Sequence, residues 1–177
     1  PQRELRVRGE LVKEKDIFCY LGSRVGSEAA FGVSEDVVCT VQKAAAPFGL
    51  LTEFFRSPRI SRRAKGRAFM VAVSTVLLYG AETWPLQRKD RHRLERFWAE
   101  CVRCAAGISY QRREEERITN KQFFELLGVP SVHTLVYRRF VRWLRHVARM
   151  GHHCFGEQLR VAFAEEGQPP HPPRSFK

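Results

Sequence analysis

Arginine spacing is the first feature of this chain that suggests chemistry. Four arginines of the last predicted helix follow one another at intervals of 4, 3 and 4 residues: Arg138, Arg142, Arg145 and Arg149. On an α-helix this spacing places all of their guanidinium groups along one face. We call this set the arginine ridge. Because guanidinium groups bind phosphate oxygens through paired hydrogen bonds, the ridge suits a phosphate backbone, and the alternative is a solvated face without a ligand.

A second group of basic residues lies at the start of an earlier predicted helix. It has no acidic residue between its members, and we call it the basic cluster: Arg56, Arg59, Arg62, Arg63, Lys65 and Arg67. Ser61 is the predicted N-cap of that helix. The free amides and the dipole of a helix start attract anions, as the cationic side chains do. The cluster is therefore a second candidate phosphate-binding surface, again with a solvated face as the alternative.

Two cysteines, Cys101 and Cys104, have the C-x-x-C spacing of a zinc site. They fall in the middle of a predicted helix, and the sequence does not continue with the usual H-x₃₋₅-H pair. We therefore expect two small side chains on or beside a packed helix face, and no metal site. His152-His153-Cys154 is expected to form a polar turn.

The overall charge favours a polyanionic partner. The chain has 177 residues, with 31 lysines and arginines against 19 acidic residues, which gives a net charge of +12. Nucleic acid is the commonest partner of such a basic domain, and an anionic membrane surface is the second. A hydrophobic content of 44% excludes a wholly disordered chain. The longest nearly apolar run, from 68 to 78, is too short to span a membrane, so we expect no membrane partner.

Cysteine use indicates the compartment. The 5 cysteines are irregularly spaced, and the chain opens on Pro1-Gln2-Arg3-Glu4 without a secretory signal. We therefore expect reduced thiols and a nuclear or cytoplasmic location.

Apolar periodicity predicts a mainly α fold, a bundle of about five helices with a small N-terminal β-ribbon over residues 3 to 25. Pro47 is expected to kink or break the first helix, and residues 109–117 to form an exposed loop. The predicted helices start at Ser34, Ser61, Asp90, Thr119 and Ser131, and they end near Phe55, Leu78, Ala106, Leu127 and Met150.

Four segments of the chain, at residues 18–23, 77–84, 118–120 and 142–150, resemble in sequence and order those of non-LTR (LINE-type) retrotransposon reverse transcriptases. Residues 18–23 resemble the family's FxYLGS segment, and residues 77–84 resemble its LLYGAETW segment. Ile118-Thr119-Asn120 resembles ITN, and residues 142–150 resemble RWLGHVLRM. The resemblance covers about residues 10 to 155. Arg145 stands where the family commonly has glycine, and Ala148 replaces a larger apolar residue.

The resemblance implies the thumb and the start of the linker that follow the palm in that family. It implies a primer-grip-like element at Tyr20, Leu21 and Gly22, and a basic, largely sequence-independent grip on the RNA template and DNA primer. The corresponding plan is a β-ribbon with the primer-grip-like strand at 1–25 and thumb-like helices at 26–107. Linker-like helices with a basic face follow at 108–155, and a partly disordered tail at 156–177.

The resemblance also assigns catalysis to another part of the polypeptide. Reverse transcriptase palms hold two Mg²⁺ ions with carboxylates. The aspartates Asp16, Asp36 and Asp90 form no aliphatic-Asp-Asp hairpin. We therefore expect a segment that is not active alone, holds no cofactor, and works with the fingers and palm of the same polypeptide. The alternatives are a stand-alone basic nucleic-acid-binding protein or retroelement remnant, and a helical protein-interaction domain.

Overall fold

Helices make up most of the structure, a computed structural model that describes residues 6–7, 10–11, 17–20, 22–26 and 29–149. The mainly α fold predicted from apolar periodicity is confirmed. The predicted tail and the turn at 152–154 lie outside the described residues. The helices are α1 (Ala29–Leu50), α2 (Thr52–Arg56), α3 (Arg62–Ala72), α4 (Ser74–Leu77), α5 (Arg88–Ala106), α6 (Tyr110–Glu115), α7 (Asn120–Leu127) and α8 (Val132–Arg149), with a 3₁₀ turn at Ala81–Thr83.

Short strands precede the helices in two separate antiparallel pairs. β1 (Arg6–Val7) pairs with β2 (Glu10–Leu11), and β3 (Ile17–Tyr20) pairs with β4 (Ser23–Gly26). This differs from the single ribbon predicted over residues 3–25, in which Gly22 and Ser23 ended the last strand. Gly22 instead makes the turn between β3 and β4 at a φ of 90°, which glycine adopts without a Cβ clash.

Hydrogen bonds confirm several of the predicted helix boundaries. The Ser61 hydroxyl accepts from the Ala64 amide at 3.3 Å, and so caps α3. Thr119 and Gln122 form a reciprocal capping box at the start of α7. The Ser131 hydroxyl accepts from the Thr134 amide at 3.2 Å at the start of α8.

Two predicted caps have other roles. α1 begins at Ala29, so Ser34 lies inside the helix, where its hydroxyl donates to Asp90 Oδ2 at 3.0 Å. Asp90 is buried in the first turn of α5, which Gln87 precedes as the N-cap. Both residues therefore form a contact between α1 and α5, and the two predicted starts are wrong.

The loop predicted at 109–117 is also wrong, because it contains α6. Ser109 caps this helix by accepting from the Arg112 amide at 3.3 Å. Arg112 also pairs with Glu116 at 2.7 Å, one turn further on. Local capping and an i,i+4 ion pair thus stabilise a helix that has no buried residue.

Two of the predicted helices differ internally. α1 continues through Pro47 to Leu50, so the proline does not break it. The helix predicted from 61 to 78 is divided at Val73 into α3 and α4. The hydroxyls of Ser74 and Thr75 donate to backbone carbonyls four residues earlier, and such back-bonding competes with the helical ladder at this point.

Trp98 of α5 lies in the centre of the hydrophobic core. Its side chain is fully buried, and its ring meets that of Phe69 from α3 edge-on, with centroids 4.7 Å apart. Its Nε1 donates to the Pro130 carbonyl in the connection between α7 and α8, at 3.1 Å. The same core extends from Val37 of α1 to Val132 of α8, and so spans both of the helical segments predicted at 26–107 and 108–155.

Gly66 allows α3 to approach α7 unusually closely. A Cβ at this position would lie 1.9 Å from the Leu127 carbonyl oxygen and 3.3 Å from Val129 Cγ2. The obstacle is backbone, which cannot move aside as a flexible side chain can. The absence of a side chain at Gly66 therefore sets the distance between α3 and the end of α7.

We expect Gly66→Ala to lower the free energy of unfolding by about 2 kcal/mol or more, because the added methyl group overpacks a backbone contact. Urea denaturation followed by circular dichroism measures this change.

The matched control is Gly49→Ala, at an exposed helical glycine with open space around its Cβ position. This change should raise stability by a few tenths to about 1 kcal/mol through helix propensity. Equal effects of the two substitutions would contradict the close approach at Gly66.

Candidate nucleic-acid interface

The arginine ridge lies on the outer face of α8. All four of its arginines are exposed, whereas Val132 and Val147, at other positions around the helix, are 2% and 6% exposed. At about 100° per residue, the ridge falls within an arc of about 60° on an ideal helix. α8 contains no acidic residue. The guanidinium groups therefore line one side of the helix with no carboxylate of α8 to neutralise them.

A neighbouring arginine has a different role. Arg139 Nη1 lies 3.9 Å from Glu82 Oε2 in the 3₁₀ turn, and each side chain is about one-third exposed, at 34% and 35%. The ion pair holds the middle of α8 against the turn and leaves the ridge directed outward.

Most of the basic cluster is also exposed. Solvent reaches the side chains at the start of α3 and in the turn before it: Arg59, Arg62, Arg63 and Arg67. Arg56 is exposed too and pairs with Glu53 at 3.5 Å. The cluster therefore presents its cations at the capped N-terminus of an 11-residue helix.

Lys65 is the exception among the predicted phosphate-binding residues of the cluster. It is only 5% exposed, because it lies one turn before the buried Phe69 on the inner face of α3. The number of basic residues in a short stretch of sequence does not show which of them lie on the inner face of α3 and which on the outer face. We therefore remove Lys65 from the candidate set.

Two contacts relate the ridge to the cluster. Near the start of α3, Gly66 contacts the residues that lead from α7 into α8. Beyond α4, Glu82 contacts the middle of α8 through Arg139. The connection that leads into α8 therefore adjoins α3, and the middle of α8 adjoins the turn that follows α4.

The primer-grip-like residues are only partly described. The backbone of Tyr20 pairs with Ser23, whereas its side chain and all of Leu21 lie outside the described residues. A Cβ on Gly22 would lie 3.3 Å from Cε1 of Tyr79. The β3–β4 turn thus lies beside Tyr79. Two of the four resembling segments, 18–23 and 77–84, are therefore in contact, which their spacing in the sequence did not reveal.

The two cysteines of the C-x-x-C pair differ in their surroundings. Cys101 is buried, and burial, together with the nearby Cys104 and Glu100, raises the pKa of its thiol from 9.0 to about 12. Cys104 is exposed. Within residues the structure describes, no three His, Cys, Asp or Glu side chains group so as to hold a metal ion. Cys101 is therefore a protonated core residue at neutral pH.

Comparisons with known proteins assign no family. No family model matches the sequence, and neither the curated proteins nor the solved structures contain a significant match. Among the described helices, none is long and apolar enough to cross a membrane. The resemblance to retrotransposon reverse transcriptases therefore stays a prediction.

The raised pKa of Cys101 predicts a pH dependence of stability. The stabilising effect is complete below about pH 9 and is lost as the pH rises towards 12, because the unfolded thiol ionises first. Between pH 8 and 10 the loss should be about 1 kcal/mol. Urea denaturation at the two pH values measures it.

Cys101→Ala should remove this part of the pH dependence, although the smaller side chain also lowers stability at every pH. Cys104→Ala is the matched control and should keep most of the wild-type dependence, because burial, the largest cause of the raised pKa of Cys101, remains. Identical pH dependences for the wild type and the Cys101 variant would contradict the assignment.

Proposed function

We propose that this chain is the template–primer-binding part of a retrotransposon RNA-directed DNA polymerase. It holds the RNA–DNA duplex through phosphate contacts and catalyses no reaction by itself. The carboxylates that bind Mg²⁺ would come from the palm of the same polypeptide, which would act in the nucleus or cytoplasm. Order and spacing of the four resembling segments support the family, and the charged surfaces support the partner.

The observation that carries the proposal is the exposure of the whole arginine ridge on a helix without acidic residues. Like charges one turn apart repel by about 0.2–0.5 kcal/mol per pair, so the free ridge is electrostatically unfavourable. A polyanion removes this repulsion and supplies oxygen acceptors for the guanidinium groups. A phosphate backbone runs along such a row, whereas a single small anion occupies only part of it.

The exposed arginines of the basic cluster extend the contact. They lie at a helix N-terminus, where backbone amides and the helix dipole add to the charge of the side chains. Phosphate contacts position a protein on a duplex but read no base sequence. We therefore expect a grip that is largely independent of sequence.

We expect the chain to bind a blunt RNA–DNA hybrid with an affinity that falls as the salt concentration rises. Replacing Arg138, Arg142, Arg145 and Arg149 by alanine should weaken binding. It should also reduce the slope of log K against log salt by about 3–4, at about 0.9 for each phosphate that the variant no longer neutralises. Fluorescence anisotropy across a salt series measures both quantities.

The matched control removes the same number of exposed cations outside both surfaces: Lys43, Arg88, Lys89 and Arg93. This variant has the same net charge as the ridge variant and should keep most of the wild-type slope. Equal slopes for the two variants would show that binding depends on net charge and not on the ridge. If the wild type does not bind the hybrid at all, a helical protein-interaction domain becomes the better interpretation.

A further inference from the structure

A groove of about 590 Å³ lies between α5, α7 and the start of α8. Its lining residues include none from the arginine ridge or the basic cluster. Arg96 and Arg103 of α5 border it, two helical turns apart and therefore on the same side of the helix. The groove is thus a separate surface with its own cations.

Polar contacts between helices mark the two ends of the groove. At one end, Arg103 Nη1 donates to Asn120 Oδ1 of α7 at 3.4 Å, which is long for such a bond. At the other end, His133 of α8 hydrogen-bonds to Glu95 of α5. The groove therefore has a cation and an amide at one end and a carboxylate and an imidazole at the other.

The middle of the groove is apolar and partly aromatic. Phe124 of α7 is half-buried and lines the groove, together with Ala99 and Val132. Trp98 lies beneath them and is fully buried. A flat apolar ligand entering the groove therefore meets the ring of Phe124, with hydrogen-bonding groups at either side.

We infer that this groove binds an unpaired nucleotide. The base lies against Phe124, the phosphate lies at Arg103 and Asn120, and the polar edge of the base faces Glu95 and His133. The volume falls within the usual range of small-ligand sites. An aromatic platform beside cations is the arrangement by which proteins bind single-stranded nucleic acid.

The position of the groove links it to the duplex-binding surfaces. The segment between α7 and α8 joins the helix that carries Phe124 to the helix that carries His133, and Gly66 of α3 packs against its start. The basic cluster and α8 thus both adjoin the connection that borders the groove. The inference rests on the proposed function in one respect, because we expect the nucleotide to be a single-stranded extension of the bound hybrid.

The test compares a blunt RNA–DNA hybrid with the same hybrid carrying a short single-stranded extension, using the full 177-residue chain. We expect the extension to tighten binding at least about fivefold, the effect of stacking one base on an aromatic side chain. Phe124→Leu keeps an apolar side chain but removes the aromatic face. It should abolish the gain and leave the affinity for the blunt hybrid unchanged.

Arg103→Ala should also reduce the gain, and Arg93→Ala, at an exposed arginine of the same helix, is its matched control. The inference would be overturned if the extended hybrid still bound the Phe124→Leu variant more tightly than the blunt hybrid does. It would also be overturned if a flexible polyphosphate chain, in place of the single-stranded extension, tightened binding as much, because general charge attraction would then explain the effect. Equal affinities for the blunt and extended hybrids would overturn it as well.

Two further probes separate the inference from the proposed function. We expect a nucleoside monophosphate to remove the extra affinity for the extended hybrid without weakening the binding of the blunt hybrid. This result would support the assignment of the groove as a nucleotide site and would show that a free nucleotide also enters it. If the blunt hybrid does not bind but a single-stranded oligonucleotide binds in a Phe124-dependent way, the proposed function fails and the groove assignment stands. If no nucleic acid binds, both fail.

Discussion

The contact between α3, α5 and the connection from α7 to α8 is the constraint on which the other surfaces depend. Gly66 brings α3 up to the Leu127 carbonyl, and Trp98 donates a hydrogen bond to the Pro130 carbonyl three residues later. The contact at Gly66 requires that there be no side chain. The contact at Trp98 requires a large apolar ring system that also carries an N–H donor. Together they fix the point at which α8 starts, and thereby the direction of its arginines.

Two buried polar atoms lower the stability of the fold, because they have no hydrogen-bond partner among the described residues. Asp90 is fully buried and accepts from Ser34 through one oxygen, while its Oδ1 has no hydrogen-bond partner among the described residues. Trp84 Nε1 is buried and unpaired in the same sense. A buried polar atom without a partner costs about 1–3 kcal/mol. The contact between α1 and α5 and the segment after the 3₁₀ turn are therefore weaker than their apolar packing suggests.

Sequence patterns predicted those features that depend on neighbouring residues. Apolar periodicity predicted the mainly α fold, and local side-chain chemistry placed the caps at Ser61 and Thr119, because a cap bonds only a few residues away. Ser34 and Asp90 have equally good cap chemistry, but they bond to each other across 56 residues. A local pattern does not contain that pairing.

The candidate sites divide in the same way into features that a local pattern predicts and features that it does not. The arginine ridge was predictable because four residues on one helix share a face whatever the rest of the fold does. The burial of Lys65 was not, because it depends on which face of α3 meets α5 and α7. The groove beside Phe124 was not predictable either, because it forms where α5 packs against α7 and the start of α8, and no local pattern contains that packing.

The self-repulsion of the arginine ridge gives dissolved salt two opposite effects on this protein. In the free chain, with its net charge of +12, counterions screen the guanidinium groups from one another and so favour the folded helix. Once a polyanion lies along the ridge, the same counterions compete with its phosphates and favour release. The ionic strength that best preserves the empty protein is therefore higher than the ionic strength at which it holds its partner most firmly.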